Sequence, residues 1–72
     1  MPNFSSAQLE RVCTEFGWEF KRQKGSHRIL QKDSVPRPIV IPQCRNLSYN
    51  VLSNTARDLG ITLQELKERM RS

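Results

Sequence analysis

The stretch Lys24-Gly25-Ser26-His27 holds the chain's only histidine on a segment suited to a turn. Imidazole exchanges a proton near neutral pH more readily than other side chains. Glycine accepts positive φ without the clash that other residues meet. A tight turn at Gly25 therefore presents His27 at the start of the next strand, on a rim rather than in a core. Lys21, Arg22, Lys24, Arg28 and Lys32 surround it in the densest run of positive charge. A titratable group among cations suits chemistry on an anion. A lone histidine on a hairpin is also a common plain surface residue, so both readings stand on this stretch alone.

The wider composition favours a polyanionic partner. The 72 residues carry 12 Lys plus Arg against 7 Asp plus Glu, a net charge of +5. Between Lys21 and Arg57 eight basic residues face one acid, Asp33. A merely solvated face mixes the signs more evenly. Nucleic acid is the first expectation and an acidic protein the second. The length predicts a single domain over 1–72 with a thin core. Two cysteines, Cys13 and Cys44, are too few for a disulfide framework. Met1 to Ser6 lacks the apolar run of a secretory signal, and no stretch is long enough to span a membrane. A cytoplasmic location, with no membrane partner, is the expectation. One histidine, two distant cysteines and scattered carboxylates lack metal-ligand spacing, so neither a metal nor another cofactor is expected.

The elements that must position His27 follow from pattern and punctuation. Met1 to Asn3 reads as a loose start. Ser5 and Gln8 form a capping box, with Phe4 and Leu9 as its staple. Leu9, Val12, Cys13 and Phe16 make one helical stripe that Gly17 ends. Cys13 is thus a small core residue. Trp18 to Gln23 alternates, with Trp18 and Phe20 on one side and Glu19, Lys21 and Gln23 on the other. Ser26 to Lys32 is the second strand of a hairpin. Asp33 to Pro38 reads as a loop, because Pro36 and Pro38 interrupt pairing. Ile39 to Ile41 is a short third strand that Pro42 ends. A second helix, capped by Ser48 or Asn46, turns Leu52, Ala56 and Leu59 inward and stops at Gly60. Thr62 to Glu65 is a capping box for a third helix with Leu63, Leu66 and Met70 inward. The fold class is α+β: an α-β-β-β-α order with a three-stranded antiparallel sheet and helices on one face. That is the layout of double-stranded-RNA-binding domains, which read RNA by shape and phosphate contacts.

Gly17-Trp18, Arg22-Gln23-Lys24-Gly25-Ser26-His27-Arg28, Val40-Ile41-Pro42 and Leu59-Gly60-Ile61-Thr62 resemble, in matching order, the HicA toxins, also called YcfA-like proteins. The Gly-Ser-His element after a basic strand is the most specific part. The resemblance covers roughly Phe4 to Met70. It implies a metal-independent endoribonuclease, an mRNA interferase of a type II toxin–antitoxin system. It also implies that His27 is the functional histidine and that a HicB-like antitoxin binds and shields it. Two departures stand out. Members often carry a second histidine two residues after the strand-ending proline, where this chain has Cys44, read as a polar replacement rather than a nucleophile. They often open the second helix with Gly-Thr, where this chain has Tyr49-Asn50-Val51.

The mechanism these expectations describe is attack of an RNA 2′-hydroxyl on the adjacent phosphorus. His27 takes the proton, and cations steady the charge on phosphorus. Lys21, Arg22, Lys24, Gly25, Ser26, Arg28 and Lys32 form the expected RNA-binding set. Water, Lys24 and Tyr49 remain open as the general acid. Two rival readings use the same basic surface: a non-catalytic RNA-binding module and a basic protein-interaction module.

Overall fold

The computed structural model describes residues 3–71, so Met1 and Pro2 of the expected loose start lie outside the described residues. The order is α1 (Ser6–Glu15), β1 (Glu19–Lys24), β2 (His27–Lys32), β3 (Val35–Pro42), α2 (Tyr49–Leu59) and α3 (Leu63–Arg71). The strands form one antiparallel sheet in the order β1-β2-β3. This is the expected α-β-β-β-α class, with α3 following α2.

Local chemistry sets the helix ends. The Ser5 hydroxyl accepts from Gln8 N–H, and the Gln8 side chain accepts from Ser5 N–H at 2.8 Å, so the capping box is complete. Phe4 and Leu9 are both buried. Ser48 rather than Asn46 caps α2, and Gly60 ends it in the left-handed region at φ 76°. At α3 only half of the expected box forms. Thr62 Oγ1 accepts from Glu65 N–H at 3.0 Å, but the Glu65 carboxylate turns outward to Arg69 Nε at 3.1 Å.

All three helices contribute to one core. Leu9, Val12 and Cys13 from α1, Leu52 and Ala56 from α2, and Leu66 and Met70 from α3 meet Leu30, Ile39 and Ile41 of the sheet. α1 and α2 both touch β3, and both touch α3. Leu59 and Leu63, expected inward, are only half-buried at the edge of this core. The opposite sheet face stays open, with Val40 46% exposed.

Two strand expectations require correction. Trp18 is buried as expected, but Phe20 is 43% exposed. The β1–β2 register shifts between Phe20 and Arg22, so Lys21 is an extra residue in β1. The bulge reverses the alternation beyond it. Phe20 lies opposite Leu30 and Gln23 opposite Arg28, on the helix side, whereas Arg22 lies opposite Ile29 and Lys24 opposite His27, on the open side. The expected loop over Asp33 to Pro38 is also shorter, because β3 already begins at Val35. β3 is an edge strand, and an edge tolerates Pro36 and Pro38 because one side of its backbone needs no ladder partner.

Truncating a fully buried residue here should weaken the fold far more than truncating an open-face one. Leu30→Ala should cost about 2–5 kcal/mol. Val40→Ala should cost below about 1 kcal/mol. Urea denaturation of both variants checks the contrast, and equal losses would show that the open face is also packed.

Candidate functional site

His27 owes its position to a two-residue turn. Gly25 has φ 62°, and among the described residues only glycines take positive φ, so Ser26 does not, the pattern of a type II′ hairpin with glycine first. A Cβ on Gly25 would meet nothing within 4 Å, so backbone conformation alone selects glycine there. Gln23 Nε2 donates to the Gly25 carbonyl at 3.1 Å, and Gln43 N–H donates to the Ser26 carbonyl at 2.7 Å. His27 then opens β2, exposed, paired with Lys24 on one side and Pro42 on the other.

The register lays out the open face in two rows. Lys24, His27 and Pro42 form the first, at the turn; Arg22, Ile29 and Val40 form the second. The bulge at Lys21 therefore brings Arg22 and Lys24 to the same face as the imidazole. Neither cation has a side-chain partner among the described residues. Lys21 makes only a loose, exposed contact to Glu19 at 3.5 Å.

The other two expected cations serve the framework. Arg28 lies on the helix side and gives Nε and Nη2 to the two Glu10 carboxylate oxygens at 2.5 and 3.0 Å. Its guanidinium carbon stands 3.9 Å from the Phe20 ring centroid. Hydrogen bonding to Glu10 pushes the Arg28 pKa further up, so the group stays charged. Lys32 Nζ donates to the Phe16 carbonyl at 2.8 Å and closes the C-terminal end of α1. Glu10 and Gln43 were not among the expected site residues. Glu10 pairs with a residue 18 positions away, and no local pattern announces that.

Cys44 lies two residues past Pro42, exposed, with its backbone fixed. Buried Ser6 donates its hydroxyl and N–H to the Cys44 carbonyl at 2.8 and 3.0 Å and accepts from Cys44 N–H at 2.9 Å. Tyr49, the other residue left open as an acid, opens α2 and is 67% exposed. No group of three or more His, Cys, Asp or Glu residues suited to a metal occurs among the described residues. No helix among them is long and apolar enough to cross a membrane.

With this geometry in place, comparison with known families is decisive on kinship. The model of the HicA toxin of bacterial toxin–antitoxin systems matches residues 6–61. The chain belongs to the HicA toxin family. No curated protein matches it. The matched stretch holds α1, the turn, all three strands and α2. α3 lies beyond it, yet supplies Leu66 and Met70 to the same core. Membership in a toxin–antitoxin family implies an antitoxin as partner.

The two thiols of this HicA-family chain should differ sharply. Burial first, then the charges of Glu10 and Asp58, pushes the Cys13 thiol up to about 12. A raised thiol pKa keeps the unreactive protonated form through neutral and mildly alkaline pH. Iodoacetamide at pH 8 should label one thiol per folded chain, and Cys44→Ser should remove that label. Labelling of Cys13 at a matching rate would contradict its burial.

Proposed function

We propose that this HicA-family chain is a metal-independent endoribonuclease that cleaves messenger RNA, with His27 as general base, and that a HicB-like antitoxin silences it by covering that histidine. The observation that carries the reading is the first row of the open face. It sets an exposed, unpartnered imidazole beside the unpartnered ammonium of Lys24, on a turn whose residues match the family's most specific element. A neutral imidazole takes the 2′-hydroxyl proton as that oxygen attacks phosphorus. Lys24 and Arg22 meet the phosphate oxygens and the charge that grows on them. The backbone at Gly25 and Ser26 lets the strand approach without a bulky side chain. Water, Lys24 and Tyr49 remain the choices for protonating the leaving oxygen.

His27→Ala should lower cleavage by about 10²–10⁴-fold, the usual worth of a positioned base, while leaving most RNA affinity intact. Cleavage should persist in EDTA and give 2′,3′-cyclic phosphate ends, and a 2′-deoxy residue at the scissile position should resist. Equal cleavage by mutant and wild type in a gel assay would remove His27 from the reaction. A protein that binds RNA but cleaves none would establish the binding-module reading instead.

The partition of cations sharpens the binding prediction. Lys24→Ala should flatten the dependence of log affinity on log salt by about one unit. Adding Arg28→Gln should flatten it little further, because Glu10 already holds that guanidinium. A candidate antitoxin should compete with RNA for this face. A ternary complex of full affinity would rule out silencing by coverage.

A further inference from the structure

Glu10 stands on α1, and nothing in the proposed reaction calls for a carboxylate there. It nevertheless gives both oxygens to the guanidinium of Arg28, the residue after His27. Nη1 of Arg28 reaches Gln23 Oε1 at 3.3 Å, and the Phe20 ring lies against the guanidinium. The Arg28 and Glu10 side chains are only 27% and 22% exposed. A shielded bidentate fork fixes geometry far better than an open point contact such as Lys21 to Glu19.

The residue before His27 is held as well. The Ser26 carbonyl takes the Gln43 N–H, and the next residue, Cys44, is locked to Ser6 at the start of α1. These contacts close a ring that leaves α1 at Ser6, passes through Cys44, Gln43, Ser26, His27 and Arg28, and returns to α1 at Glu10. Ser26, Gln43 and Cys44 join this ring through backbone atoms, and the His27 side chain makes no hydrogen bond or ion pair among the described residues. Its backbone is thus gripped through both neighbours while the imidazole stays free.

We infer that Glu10 is a positioning residue for His27. It acts through Arg28 to fix the strand start from which the imidazole projects, and it withholds the Arg28 guanidinium from RNA phosphates. The catalytic half of this inference rests on the reading of His27 as the base. Loss of the carboxylate charge should therefore move turnover and affinity in opposite senses, which a purely structural role would not do.

The test compares full-length wild type, Glu10→Gln, Arg28→Lys and the double variant Glu10→Gln/Arg28→Gln, with His27→Ala as the zero of cleavage. Glu10→Gln should lower kcat by roughly 10²-fold, the scale of a small misplacement, without raising KM. Its salt slope for RNA binding should steepen by about one unit as Arg28 is released. The double variant should return the slope to the wild-type value but keep the low kcat. Arg28→Lys keeps the charge and loses the fork and the ring stacking, so its kcat should fall too; it carries the test if Glu10→Gln does not fold. Amide hydrogen exchange at Ser26 to Arg28, measured without RNA, should accelerate about 10-fold or more in either single variant while the Leu30 amide holds. Unchanged kcat in a folded variant, or unchanged exchange at the turn, would overturn the inference. Wild type that cleaves no faster than His27→Ala would overturn the functional reading instead, and the exchange comparison would then decide the clamp by itself.

Discussion

Everything on the open face depends on one constraint: the helices of the described residues cover only one side of the sheet. Leu30, Ile39 and Ile41 are fully or almost fully buried beneath them. Each such side chain contributes roughly 1.5–3 kcal/mol when removed from water. Because strand residues alternate strictly, a slip of one position would turn this apolar set outward. Burial of Leu30 therefore fixes which way His27, three residues earlier, must face. The histidine is aimed at solvent by an interaction in which it takes no part.

The same constraint sorts the charge. The sequence shows a block of cations, and a block of cations suggests a continuous patch. The fold breaks that block by face. Arg28, on the covered side, is neutralised by Glu10, and Lys32 caps the carbonyl end of α1. Arg37 reaches across to Asp58 at 2.9 Å. Arg22 and Lys24, on the uncovered side, meet no carboxylate among the described residues. The net charge of +5 suits long-range attraction of a polyanion; the direct contacts we propose fall to the smaller set beside His27.

The parts of this arrangement legible in the sequence are those set by neighbours along the chain. Ser5 with Gln8, Ser48, Gly60 and the Gly25 turn are local devices, each satisfied within a few residues, and each appears where its pattern placed it. Element order and the buried stripe of α1 follow from periodicity alone. One misreading is local, the half-formed box at α3, where Glu65 turns to Arg69 within the same helix; the others concern relations between distant segments. The bulge at Lys21 is a property of how β1 pairs with β2, so alternation within β1 could not reveal it. The early start of β3 depends on its edge position, which makes Pro36 and Pro38 harmless; the same prolines in a central strand would have ended it. Glu10 and Arg28 meet because α1 packs on the covered face of the sheet, and nothing in either segment encodes that packing by itself. Local chemistry thus located the histidine, while tertiary pairing chose its companions.

The base we propose, His27, has no orienting side chain among the described residues, and that places unusual demands on its backbone. In a hydrogen-bonded catalytic pair, a third group aims the imidazole and selects its tautomer. Among the described residues no side chain does so, and the position two residues after Pro42 holds Cys44. Orientation must come from where the Cα–Cβ bond points. That direction is set by the type II′ turn on one side, by pairing to Lys24 and Pro42 across the sheet, and by the grip on Ser26 and Arg28. In the proposed reaction, a rigid backbone with a free ring suits acceptance of the 2′-hydroxyl proton while the cations hold the phosphate. It offers no matching group fixed to return that proton to the leaving oxygen. On the proposed reading, precision in the proton-accepting step therefore rests on backbone placement at this one residue.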